Sequence, residues 1–142
     1  MTQPWASLVM LGAKRWETRS WSTCYRGRIA IHAAKSFPRE CRDLCYAQPF
    51  FAALGSPLSS DPHLPRGCVL GIATLTDCRR VEDVRDRLFS LDEYSSELRF
   101  GNYSDGRSAW HLEDVEVFPE PIPARGMLGL WEWNVAQEVT EP

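Results

Sequence analysis

Gly12-Ala13-Lys14-Arg15-Trp16-Glu17-Thr18-Arg19-Ser20-Trp21 follows a short apolar run near the start of the chain. It gathers three cations, one carboxylate and two indoles. Cations beside flat indole faces suit a ligand that carries both phosphates and bases. Gly12 marks a turn, so the Lys14 amine is expected to reach solvent or a cleft and contact phosphate or base. Residues 14–21 fit an extended segment. Glu17, Arg19 and Trp21 then share one face, with Trp16 and Thr18 on the other. Glu17 and Arg19 form either an internal ion pair or a ligand contact, and the two roles are compatible if the pair orients Arg19.

Outward from this run, residues 5–11 read as a short helix, with Pro4 tolerated at its start and Gly12 ending it. Gly27 precedes a strand carrying Ile29, Ile31 and His32. Residues 38–54 predict one helix with Cys41, Leu44, Cys45 and Phe51 as its buried stripe. Residues 55–66 have the Gly, Pro and Ser density of a loop. Residues 68–77 are continuously apolar at first, as in a strand covered on both faces. Residues 82–107 are charged, with a modest helix and then a Gly-Asn-Tyr-Ser-Asp-Gly loop. Residues 108–118 read as a strand whose pattern slips phase between Leu112 and Val115, the mark of a bulge. Pro119, Pro121 and Pro123 predict an irregular connection. Residues 128–135, with Trp131 and Trp133, predict a last strand. The order of elements points to an α+β fold: a small mixed β-barrel of about five to six strands with flanking helices.

The chain has 142 residues, which points to a single domain over residues 1–142. No apolar run approaches the ~20 residues that cross a bilayer, and the start lacks the pattern of a secretory signal. The expectation is a cytoplasmic protein that does not enter membranes. Its five cysteines have no framework spacing and are expected as thiols. Cys41 and Cys45 share a helix face, but no second pair stands at ligand spacing, so neither a metal nor another cofactor is expected. Net charge is −3 and is unevenly placed. Residues 1–46 hold eight cations against three carboxylates, a net +5, and the remainder holds eight against sixteen, a net −8. A basic third on an acidic body is either a site for an anionic ligand or one half of a mutual neutralisation.

The pattern Gly12-x-Lys14-x-x-Glu17-x-Arg19 resembles the hallmark of the ASCH (activating-signal-cointegrator homology) family. Gln3 to Ser7, Tyr25 to Arg28, the strand ending His32-Ala-Ala-Lys35, residues 67–71, Trp110, residues 123–126 and Gly129 to Trp131 are also similar to its cointegrator-type branch. The resemblance implies a PUA-like fold with a cleft lined by the hallmark Lys, Glu and Arg, in a fold associated with RNA. The partners it implies are RNA, another single-stranded nucleic acid, or a modified nucleoside.

On this footing the candidate ligand-binding residues are Trp5, Lys14, Glu17, Arg19, Trp21, Arg26, His32 and Lys35. Trp5 is expected to build a cleft wall and Trp21 to stack on a base, while Trp16 and Trp131 are expected in the core. Glu17 suits the exocyclic amine of a base, and Arg19 suits a phosphate or carbonyl oxygen. His32 is read as a satisfied strand histidine or a site residue. If the protein is an enzyme, Lys14 and Glu17 are its candidate catalytic groups. Some family members hydrolyse N4-acetylcytidine with a threonine three residues after the hallmark lysine. Here that position is Glu17, and Thr18 lies one residue on, on the opposite face. A neighbouring Glu17 is also expected to keep Lys14 protonated. Recognition of single-stranded or modified RNA, or of single-stranded DNA, is therefore the leading expectation. Amide hydrolysis, RNA cleavage and a protein-interaction module are the alternatives.

Overall fold

The computed structural model describes residues 1–55, 64–89 and 96–133. The elements in chain order are α1 (Trp5–Met10), β1 (Trp16–Arg19), β2 (Gly27–Ala33), α2 (Arg39–Leu44), α3 (Phe50–Leu54), β3 (Cys68–Arg80), α4 (Val81–Phe89) and β4 (Ser108–Pro123), with a 3-10 turn at Glu97–Arg99 before the last. Most of the loop expected over residues 55–66 lies outside the described residues.

The α+β class is as the sequence indicates, but the barrel is not closed. The described residues form one four-stranded antiparallel sheet in the order β1-β4-β3-β2. Residues 128–133 run as bends and coil instead of the expected last strand. Gly129 stands at φ +72, in the left-handed region that an extended strand does not use. Residues 134 and 135 of that expected strand lie outside the described residues.

The long strands follow from their sequences. The start of β3, Cys68 to Gly71, is buried without interruption, as its apolar run predicts. The expected bulge in β4 is present. Ile72 pairs with Glu116 and Thr74 with Glu113, so β4 holds one residue too many there. Asp114 absorbs it at φ 49. Opposite the next irregularity stands Gly71, where a Cβ would collide with the Glu116 carbonyl oxygen. The three prolines do not end β4. Pro119 and Pro121 fall where the register jumps between the pairs Gly71–Val117 and Val69–Ile122. A residue without an N–H breaks no ladder bond there.

The single helix expected over residues 38–54 is two short ones. Pro49 separates them, because it offers no N–H to the preceding turn and disfavours helical geometry at Gln48. Cys45 and Phe50 are the buried residues of this region, whereas Cys41, Leu44 and Phe51 are half-buried.

Helices cover both faces of the sheet. Ala6 and Val9 of α1 pack with Ile31, Leu75, Trp110 and Leu112. Val81, Val84 and Leu88 of α4 pack with Trp16, Tyr103 and Ala109. Ala109 and Trp110 are neighbours on β4, so these two cores lie on opposite faces. Glu17 is the register partner of Trp110 and shares its face. Trp16 and Thr18 point into the α4 side, where both are buried.

Candidate functional site

An open cleft of about 1270 Å³ runs between the β1 side of the molecule and the end of β2. Its first wall holds Glu17, Arg19 and Trp21, with Arg99, Asn102 and Arg107 from the segment before β4. Its second wall holds His32 and Lys35, with Arg125 and Trp131 from the segment after β4. Trp5 and Trp110 complete the aromatic surface. Five cations line the cleft (Arg19, Lys35, Arg99, Arg107, Arg125) against one carboxylate, Glu17. In a chain of net charge −3, that is a local reversal of sign.

Glu17 is held from three sides. Its Oε1 accepts the Thr18 N–H at 3.1 Å and lies 3.7 Å from Lys14 Nζ. Its Oε2 faces Arg19 Nη2 at 3.4 Å. The ion pair expected between Glu17 and Arg19 is therefore formed. Its length and the 40% exposure of the Arg19 side chain leave guanidinium edges directed at the cleft.

Lys14 departs from expectation. Its side chain is fully buried and does not reach solvent. Nζ donates to the Trp16 carbonyl at 2.6 Å and to the Phe100 carbonyl at 2.9 Å. One ammonium thus ties β1 to the turn at residues 97–101 and supports Glu17 from beneath. Burial lowers the Lys14 pKa, while Glu17 and then Glu97 oppose that shift. The expected upward pull of Glu17 is real but is outweighed by desolvation.

The surroundings of Lys14 are as polar as they are closed. Glu97 is buried, and one oxygen accepts the Arg15 N–H. Its other oxygen and the Tyr103 hydroxyl are buried without a hydrogen-bond partner in the structure. Burial raises the Glu97 pKa, against the N–H groups of Arg15 and Trp16 and the charge of Lys14. Burial, with the charges of Glu97 and Glu17, also raises the Tyr103 pKa and keeps the phenol neutral. Thr18 Oγ1 accepts the Asn102 N–H at 3.2 Å. A Cβ on Gly101 would lie 3.3 Å from that hydroxyl and 3.4 Å from Lys14 Nζ, so this turn needs a glycine's slimness to pack over both.

The other candidates divide clearly. Trp5, Trp21, His32 and Lys35 line the cleft. Trp21 is 38% exposed and meets Trp110 edge-on, with centroids 4.7 Å apart. The Trp110 indole N–H donates to the Trp21 carbonyl, which fixes this pair. His32 Nε2 lies 2.7 Å from the Ala124 carbonyl. Its ring packs so closely on Gly126 that a Cβ there would sit 2.7 Å from Cε1. Trp16 is in the core, stacked on His111. Trp131 is not: it is half-buried and meets the His32 ring edge-on at 6.4 Å, on the cleft wall. Arg26 is not brought to the cleft. Its Nη1 donates to the Thr23 and Tyr25 carbonyls, and Nη2 lies 3.9 Å from Asp77.

The sequence reading missed Arg99, Arg107, Arg125 and Trp110 as cleft residues. Arg107 donates from Nε to the Asn102 carbonyl and from Nη2 to the Thr18 carbonyl. Nothing in local spacing marks these cations, which arrive from distant segments. Trp110 and the family-like segment 123–126, which holds Arg125, carried a signal through the resemblance alone.

With this geometry in view, the comparisons with known proteins are direct. The ASCH domain model matches residues 1–122. The chain belongs to the ASCH domain family. This ASCH domain is 38% identical over 96 residues to activating signal cointegrator 1 of Homo sapiens, and 36% identical over 98 residues to that of Mus musculus. The matches cover 66% and 67% of this chain but only 16% of each relative. The expected relation to the cointegrator-type branch is therefore found. Among the described residues, no helix is long and apolar enough to cross a membrane.

Proposed function

We propose that the cleft binds single-stranded nucleic acid, with RNA the first candidate and single-stranded DNA the second. One observation carries this reading: five cations and four indoles converge on one open cleft whose lining holds a single carboxylate. Indole faces stack on any base, worth about 1–3 kcal/mol per base. Guanidinium groups grip phosphate oxygens in pairs. Glu17, steadied by Lys14 and the Thr18 N–H, suits the exocyclic amine of a base. Splayed single strands present both base faces and base edges, as duplexes do not.

Recognition is favoured over catalysis by the position of Lys14. Its amine is closed off from the cleft and is committed to two carbonyl oxygens, so it is poorly placed to take a proton from a substrate. The Thr18 hydroxyl is occupied by Asn102. The test is a binding titration with labelled single strands at several salt concentrations. Wild type is expected to bind with an affinity that falls steeply with salt, and Arg19→Ala and Trp21→Ala are expected to weaken it. Absence of any binding at low salt overturns the proposal. Acetate release from N4-acetylcytidine by wild type would instead favour hydrolysis.

A further inference from the structure

The cleft has cations on both walls, and the two groups are held by different parts of the chain. Arg19 and Arg107 belong to the β1 wall, where Arg107 is pinned to the Thr18 and Asn102 carbonyls. Lys35 and Arg125 belong to the other wall. That wall is stitched together by backbone bonds: Gly67 N–H to the Ala33 carbonyl, and Ala124 N–H to the Gly67 carbonyl. His32 adds its bond to the Ala124 carbonyl. The stem of Lys35 passes over Gly67, where a Cβ would lie 3.8 Å from it.

Several cations elsewhere on the surface meet carboxylates. Arg28 pairs with Glu116 at 2.8 Å, Arg79 with Asp77 at 2.6 Å and Arg85 with Asp105 at 2.7 Å. Lys35 and Arg125 are exposed, and neither makes an ion pair with any of the described residues. Both line the cleft from segments joined by these backbone bonds, an arrangement suited to an anion. The space between the walls is larger than the ~300–1,000 Å³ of a typical small-molecule pocket.

From this we infer that Lys35 and Arg125 form a second phosphate subsite opposite Arg19 and Arg107, so that the ligand is a strand with at least two phosphates. This rests on the nucleic-acid reading of the cleft and narrows it. A free nucleoside has no phosphate, and a nucleoside monophosphate can hold only one wall. A strand crossing the cleft places one phosphate on each wall and its intervening bases against Trp21 and Trp131.

The experiment is a length series of labelled single strands, from a nucleoside monophosphate to an eight-nucleotide strand, titrated by fluorescence anisotropy. Wild type is compared with the double variant Lys35→Ala/Arg125→Ala and with Arg19→Ala. Wild type is expected to gain at least about tenfold in affinity between one nucleotide and four. The double variant is expected to lose that gain. Its slope of log K against log salt should fall by about 1.4, from two lost contacts at about 0.7 each on a single strand. Both altered side chains are exposed, so thermal unfolding should be unchanged, which separates lost contacts from lost fold. If the double variant keeps the length gain and the salt slope while Arg19→Ala weakens binding, the second subsite is refuted and the cleft reading survives. If wild type binds no strand at low salt, both fail.

Discussion

The region around Lys14 hides its charges, and the region around Lys35 exposes them. These are the chain's two lysines, and both lie in segments that resemble the family. Lys14 is sealed among the Trp16 and Phe100 carbonyls, Glu17 and Glu97. Lys35 stands on the opposite wall, in no ion pair with the described residues. Removing a buried charge leaves its partners desolvated and unmatched, which is expensive. Removing an exposed one changes little in the fold. One lysine therefore builds the site, and the other meets what enters it.

The largest effect expected from this contrast is on stability. Lys14→Met keeps the length of the side chain but leaves two carbonyls and one face of Glu17 without their cation. Loss of one partner from a buried ionic group costs about 3–5 kcal/mol. Urea unfolding should show that loss as a lowered midpoint. A variant within about 0.5 kcal/mol of wild type would erase the distinction between the two regions.

Next comes Arg19→Ala, on the exposed side of the boundary. Arg19 is tied only loosely to Glu17, at 3.4 Å, so the fold should tolerate its loss. A hydrogen bond to a charged group contributes about 1.5–3 kcal/mol, so strand binding should weaken by about tenfold or more. A variant that loses stability but binds as before would move Arg19 to the structural side.

A smaller effect concerns pH. Burial raises the Glu97 pKa above its ordinary value of 4.5. Between that value and the raised one, the native state holds a proton that the unfolded chain has released. Stability from this group therefore rises as pH falls through the window, and is complete once both states are protonated. Glu97→Gln cannot titrate. The stability of wild type relative to Glu97→Gln should increase on acidification from neutral pH; parallel stability curves would remove Glu97 from the account.

The hallmark run made β1 and its two faces legible, because alternation along an extended segment depends only on the chain's own geometry. Glu17, Arg19 and Trp21 from that run, and His32 and Lys35 from a later segment, line one cleft. What the run left unread depends on folding partners. Burial of Lys14 requires the Phe100 carbonyl, far along the chain, to supply an acceptor. Arg107 and Arg125 reach the cleft only because β4 delivers both of its ends to it. The open sheet was misread because Trp131 and Trp133 have strand-like composition, whereas Gly129 between the walls sets a turn. Pro49 was readable and was given too little weight against the apolar spacing around it.

The gentlest test is Lys35→Ala. The side chain is exposed and its stem runs beside Gly67, so stability should stay within about 0.5 kcal/mol of wild type. Its charge is screened by salt like any exposed charge, so its contribution to binding should show at low ionic strength and fade at high. One lost phosphate contact should flatten the salt slope by about 0.7, half the change expected when Arg125 is removed as well. An unchanged slope with unchanged affinity would make Lys35 a solvated surface lysine. The contrast with Lys14 would then separate a buried charge from an idle one, with no part in the ligand for the second wall.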